Sequence, residues 1–158
     1  MPAMRRFNVF TPEFTYAAGR PDGYRAGTAR FGPLVGAARM AGTVYELPPG
    51  ESTWPYHYEY GSEEWLLILE GSPTLRHAGG EDALEPGDLV CFPNGPEGAH
   101  KVTNNSAAVA RLMIISTYER PAVAVFPDSD KLGVWPDGER DMHMSPRDSN
   151  VDYWTGEA

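Results

Sequence analysis

Between Thr43 and about Phe126 the apolar residues come in short runs of β-type composition: Thr43 to Leu47, Trp65 to Leu69, Thr74 to Arg76, Leu89 to Phe92, Lys101 to Thr103, Ala110 to Ser116 and Ala122 to Phe126. Gly or Pro interrupts every window in which a helical period could persist, so no helix is expected in this region. Turn signals separate the runs at Pro48-Pro49-Gly50, Gly61-Ser62, Gly71-Ser72, Gly79-Gly80, Pro86-Gly87 and Pro93 to Gly98. Strands punctuated this closely predict an antiparallel sandwich or barrel.

The flanks read differently. Residues 1–40 are rich in Gly and Ala, with a turn at Pro21-Asp22-Gly23 and scattered anchors at Tyr16, Tyr24 and Phe31. Residues 127–158 are polar but carry Trp135, Tyr153 and Trp154, more aromatic surface than a free tail usually exposes. Both are expected to be irregular arms packed on a central β domain, the C-terminal one docked through its aromatic side chains. A chain of 158 residues is about one domain, so the expected organisation is a single domain over 1–158 with its barrel at about 41–126.

Composition narrows the partners. With 13 Lys and Arg against 22 Asp and Glu the formal charge is −9, which excludes docking on nucleic acid or an anionic membrane. The single cysteine, Cys91, cannot form an intramolecular disulfide; lying between Val90 and Phe92, it is expected to be a small buried apolar residue. After Arg5-Arg6 the stretch Phe7 to Tyr16 is broken by Asn8, Pro12 and Glu13, so no apolar leader is expected. The longest aliphatic runs, Leu66 to Leu69 and Leu112 to Ile115, are far short of a membrane span, and cytoplasm is the expected compartment.

Candidate chemistry sits in two stretches. In Gly50 to Gly71, a strand through His57 and Glu59 points both side chains one way and Tyr56, Tyr58 and Tyr60 the other. The tyrosines are expected to form an outer face packed against an arm or a second subunit. Glu64 shares a face with Leu66 and Ile68 on the next strand, while its neighbour Glu63 points away. In Gly87 to Asn104, His100 follows a rigid Pro/Gly loop. Imidazole nitrogens and carboxylate oxygens together suit Fe, Mn, Ni, Co or Zn. His77 and His143 are expected to be surface residues.

These residues resemble the cupin family. Its first motif falls on Gly50, His57, Glu59, Glu64 and Gly71, its second on Gly87, Pro93, Gly95, His100 and Asn104, and the resemblance runs from Thr43 to about Ser116. The gap before His57 is one residue longer than usual and that between Gly95 and His100 two longer, both in turns, which tolerate insertion. Glu59 stands where the family usually has its second histidine. The resemblance implies an all-β double-stranded β-helix, a jelly-roll barrel, binding one divalent transition metal through His57, Glu59, Glu64 and His100, and a homodimer. With two carboxylates the shell is neutral around a divalent ion, and the ion a weaker Lewis acid. Leu66, Ile68, Phe92, Val102 and Met113 or its neighbours are expected along the pocket wall.

Three activities fit a small-molecule partner at such a site. The first is an oxidoreductase of dioxygenase or oxidase type, since two His and a carboxylate leave positions for substrate and oxygen. The second is a sugar or sugar-phosphate isomerase, which would want cations at the mouth; the barrel region offers only Arg76, Lys101 and Arg111. The third is a non-catalytic ligand-binding module. No residue is assigned a catalytic role from sequence.

Overall fold

The computed structural model describes residues 3–117, 119–138 and 140–157. Its strands in chain order are β1 (Thr15–Tyr16), β2 (Gly27–Arg30), β3 (Met40–Leu47), β4 (Tyr58–Tyr60), β5 (Glu64–Glu70), β6 (Thr74–His77), β7 (Gly80–Ala83), β8 (Leu89–Phe92), β9 (His100–Thr103), β10 (Ala110–Thr117), β11 (Ala122–Phe126), β12 (Lys131–Trp135) and β13 (His143–Pro146). One helical turn, α1 (Gly32–Val35), stands between β2 and β3. All pairings are antiparallel, in three sheets ordered β1-β2-β3-β10-β5-β8, β13-β12-β11-β4 and β7-β6-β9. This is an antiparallel barrel, as the turn spacing predicts, of the jelly-roll type that the cupin resemblance implies.

The core lies between the six-stranded sheet and the other two. Alternation along the strands selects its members: Tyr45 and Leu47 from β3, Leu66 and Ile68 from β5, Phe92 from β8, Val102 from β9, Leu112 and Ile114 from β10. A second, smaller cluster joins Tyr58 to Ala99 and Val125, with Tyr56 and Leu132 against it, so part of the tyrosine row is covered by the chain's own C-terminal strands while Tyr60 stays exposed. Arg76 lies 4.0 Å over the Tyr56 ring and holds Asp128 through 2.6 and 2.8 Å bonds, clasping β6 to the segment after β11.

Three expectations change. Both flanks carry strands: β1 and β2 extend the six-stranded sheet, and β12 and β13 extend the sheet that holds β4. Tyr153 and Trp154 do not dock; they meet edge to face at 4.9 Å and stay 83% and 72% exposed, whereas Trp135 is half-buried within β12. Cys91 is exposed, because on edge strand β8 Val90 and Phe92 take the inward parity and push Leu89 and Cys91 outward. Of Met113 and its neighbours, Met113 points outward, paired with Leu67, and Ile114 faces inward and lines the cavity, as expected.

The N-terminal segment is fastened by one polar cluster. Tyr16 donates to Glu46 at 2.5 Å, and Arg111 donates to the other Glu46 oxygen through Nε and Nη2 at 2.8 and 2.6 Å. Partial burial pulls the Glu46 carboxyl upward, but the hydrogen bonds from Tyr16 and Arg111 outweigh it and hold the carboxyl below its ordinary range. Burial, then the bond to and charge of Glu46, push Tyr16 up to about 12. The carboxylate's contribution to stability is present above the ordinary carboxylate pKa and lost as pH falls through the depressed one. The tyrosine's is present below pH 10 and lost as pH rises through about 12. Tyr16→Phe should lower stability at neutral pH by about 1 kcal/mol in urea titrations, remove the alkaline loss and shrink the acid one, since the hydroxyl also helps hold the Glu46 carboxyl down. An alkaline loss of unchanged size in the variant would contradict this assignment.

Candidate metal centre

Each of the three sheets brings one ligand-type side chain to the same place. His57, just before β4, and His100, first residue of β9, face each other as an antiparallel bridge, with reciprocal backbone bonds of 3.1 Å from His57 N–H and 2.8 Å from His100 N–H. Glu64 opens β5 and pairs directly with Phe92 of β8, whose ring stacks on His100 at a centroid separation of 3.6 Å. Phe126 stacks on His57 at 5.9 Å. The imidazoles are therefore clamped by aromatic faces and lie 4.8 Å apart.

Hydrogen bonds settle which nitrogen each ring presents. His57 donates Nδ1–H to the Pro55 carbonyl and His100 donates Nδ1–H to the Gly98 carbonyl, both at 2.8 Å; a carbonyl only accepts, so the proton must sit on Nδ1. Nε2 is then an unprotonated lone pair on both rings. Gly98 is required here, since a Cβ at that position would overlap the Pro93 carbonyl oxygen and displace the turn that aims its own carbonyl at His100. Upstream of that turn, Gly95 has φ +88° and donates its N–H to the Glu59 carbonyl at 2.8 Å, tying the Pro/Gly loop to β4. Asn104, fully buried, spends its amide on the Leu47 and Ala108 carbonyls at 2.8 and 2.7 Å and is a turn residue.

Ligand atoms of His57, Glu64 and His100 all lie within 4.8 Å of one another, and His100 Nε2 is 3.5 Å from a Glu64 oxygen. Burial, then the charge of Glu59, pushes the Glu64 carboxyl up to about 8; burial, then His57, pulls His100 down to about 3, and burial lowers His57 as well. At neutral pH both rings are uncharged, so the 3.5 Å contact is not an ion pair despite its geometry. Two Nε2 lone pairs and a carboxylate aimed at one point, each ring fixed by an outer hydrogen bond, fit a divalent transition ion. Glu59 lies beside this group, its charge acting on both His57 and Glu64, but its carboxylate is outside the tight set. Glu63 points outward and accepts from Trp65 Nε1 at 2.8 Å; His77 is a surface residue 3.0 Å from Asp82.

Glu64 and Glu59 open into a cavity of about 830 Å³. Its wall is more polar than the sequence suggested: Thr43, Tyr45, Ser62 and Ser116 line it with Ile114, whereas Leu66, Ile68, Phe92 and Val102 are consumed in the packed core. Tyr45 accepts from Trp54 Nε1 at 3.0 Å, which fixes its hydroxyl at the cavity floor. Arg30 and Arg120 also line the cavity. Neither lies in the stretch that carries the motifs, and only strand register brings Arg30 there.

The comparisons with known proteins agree on the fold. Residues 43–116 match the model of the cupin domain family. No curated protein matches the chain significantly. Among solved structures, a sugar phosphate isomerase of the cupin superfamily from Silicibacter pomeroyi superposes with a TM-score of 0.79 at 21% identity, over 92% of this chain and 94% of that one. The polyketide cyclase RemF from Streptomyces resistomycificus gives 0.60 at 22% identity, covering 76% and 84%. A cupin 2 conserved barrel domain protein from Salinispora arenicola gives 0.52 at 18% identity, covering 75% and 90%. The family match falls on the strands that carry the centre, and cupin structures superpose over most or nearly all of the chain: residues 43–116 are a cupin domain, and the strands on either side extend its fold.

Proposed function

We propose that the chain is a metal-dependent enzyme that rearranges a small organic molecule by redox-neutral proton transfer, in the manner of a sugar isomerase. The observation that carries this reading is the convergence of His57, Glu64 and His100, with Glu64 and a second carboxylate, Glu59, both lining one cavity. The triad holds one divalent ion, which when bound would supply Lewis-acid polarisation of a substrate carbonyl. Glu59, outside the triad, takes a proton at its carboxylate from the hydroxyl-bearing carbon beside that carbonyl and delivers it to the carbonyl carbon, while the hydroxyl proton passes to the carbonyl oxygen, so that the two carbons exchange oxidation states with no outside oxidant. Tyr45, oriented by Trp54, positions a substrate oxygen at the floor. The Silicibacter pomeroyi isomerase supports the reading as a structural relative. One observation favours the oxygen-dependent alternative: two His and one Glu form the set that leaves positions for substrate and oxygen together.

The purified protein should carry about one equivalent of a transition ion by elemental analysis, and at a hundredfold excess over Kd the ion should add about 2.7 kcal/mol of stability, lost on chelation. His57→Ala with His100→Ala should abolish both effects; unchanged stoichiometry would overturn the site. Gly98→Ala should weaken ion binding at least tenfold through the displaced His100 carbonyl partner, with the barrel's circular dichroism intact.

Glu59→Gln should keep the ion and lose at least a hundredfold in turnover of aldose–ketose interconversion. Loss of the ion from that variant would make Glu59 a fourth ligand, as the motif position implies. Oxygen uptake dependent on His57 and His100, with no interconversion, would replace isomerisation by the oxidative reading.

The homodimer is proposed across the outer face of the six-stranded sheet, where Trp65 and Leu89 are 45% and 57% exposed beside Cys91 and Leu67. Sedimentation should show a dimer that Leu89→Asp dissociates; a wild-type monomer at micromolar concentration would remove it.

A further inference from the structure

We propose that Arg30 forms an oxyanion subsite at the cavity end away from the metal centre, so that the substrate carries a phosphate or carboxylate group at the end opposite the reacting carbons. This deepens the enzyme reading above and rests on it for the orientation of the substrate, though not for the binding of the anion itself.

Strand register places Arg30. It pairs with Thr43, Thr43 with Ile114, and Ile114 with Leu66, so these four form one cross-strand row on one face of the six-stranded sheet. Leu66 and Ile114 are core residues, which makes that face the inner one. Glu64 lies two residues before Leu66 on the same face. Three strand spacings of about 4.8 Å put the Arg30 backbone roughly 14 Å from this strand, a distance that two long side chains shorten to the span of a small molecule.

Arg30 is exposed at the end of β2, and the other members of its cross-strand row, Thr43, Ile114 and Leu66, are hydroxylic or apolar. Among the described residues no carboxylate lies within ion-pair distance of Arg30. Arg120 reaches the same cavity from the segment between β10 and β11, its guanidinium lying against Gly138, where an added Cβ would come within 3.7 Å of Nη2. The cavity thus carries Glu64 on β5 and Arg30 three strands away on β2, with Thr43 between them. Guanidinium forks match phosphate and carboxylate oxygens through paired hydrogen bonds. Thr43 adds a hydroxyl that can donate to the same group.

The test is calorimetric titration of the full-length protein, manganese-loaded and metal-stripped, with three probes of equal carbon skeleton: glycerol 1-phosphate, glycerate and glycerol. The anions should bind at least tenfold tighter than glycerol, and Arg30→Gln should cost them about tenfold while leaving glycerol and manganese stoichiometry unchanged. Arg30→Lys should recover part of the loss, since the charge remains without the fork. Tighter binding of the phosphate identifies a phosphomonoester substrate, and tighter binding of glycerate a carboxylate one. The subsite is overturned if anions and glycerol bind alike, or if Arg30→Gln leaves anion affinity unchanged. Anion binding that persists in the His57→Ala, His100→Ala protein upholds the subsite even where the metal reading fails; manganese binding without anion discrimination does the reverse.

Discussion

The reciprocal backbone bridge between His57 and His100 is the constraint on which the centre depends. It is one of two isolated bridges joining the sheet of β4 to the sheet of β9; the other, Ser52 to Thr103, is reinforced by a 2.9 Å hydroxyl contact. Because the two residues are directly opposed, both side chains must leave the same face, and the ring separation follows from backbone pairing alone. Each histidine then bonds the carbonyl two residues before it, Pro55 and Gly98. The same local device, used twice, fixes both tautomers without help from any charged residue.

That neutrality matters for what the centre can hold. Burying two imidazoles and a carboxyl costs least when none is charged, and the shifts run that way: Glu64 up to about 8, His100 down to about 3. A positive ion reverses the preference of the carboxyl, giving it a partner at the point where the lone pairs converge. Groups whose acidities are driven apart in a cavity, and held by geometry rather than by ion pairs, mark a ligand set whose charge comes from outside the chain.

Much of this was legible in the sequence, for a local reason. Strand parity alone sorts Glu64 from Glu63 and puts His57 and Glu59 on one side, and the seven β-type runs from Thr43 to Phe126 are strands β3, β5, β6, β8, β9, β10 and β11. What failed was non-local. Lys131–Trp135 and His143–Pro146 contain Gly133 and Pro146 and show little alternation, and they become strands because β11 offers an edge to pair with. Cys91 looked buried from its neighbours, yet it sits on an edge strand where alternate residues face out. Arg30 gives no local signal at all; only its register with Thr43 turns it toward the cavity.

The division of labour along the chain follows from this. All of the tight ligand set lies within residues 43–116, the stretch shared with the family. Part of the cavity wall comes from outside it: Arg30, Pro33 and Met40 before, Arg120, Trp135 and Gly138 after. The flanking segments, stitched on as extra strands and held by clusters such as Tyr16–Glu46–Arg111, therefore shape the space in which the shared centre works. A barrel can keep one ligand geometry and change its substrate by changing the strands added at its edges, because those strands reach the mouth while the bridge between His57 and His100 is buried beneath them.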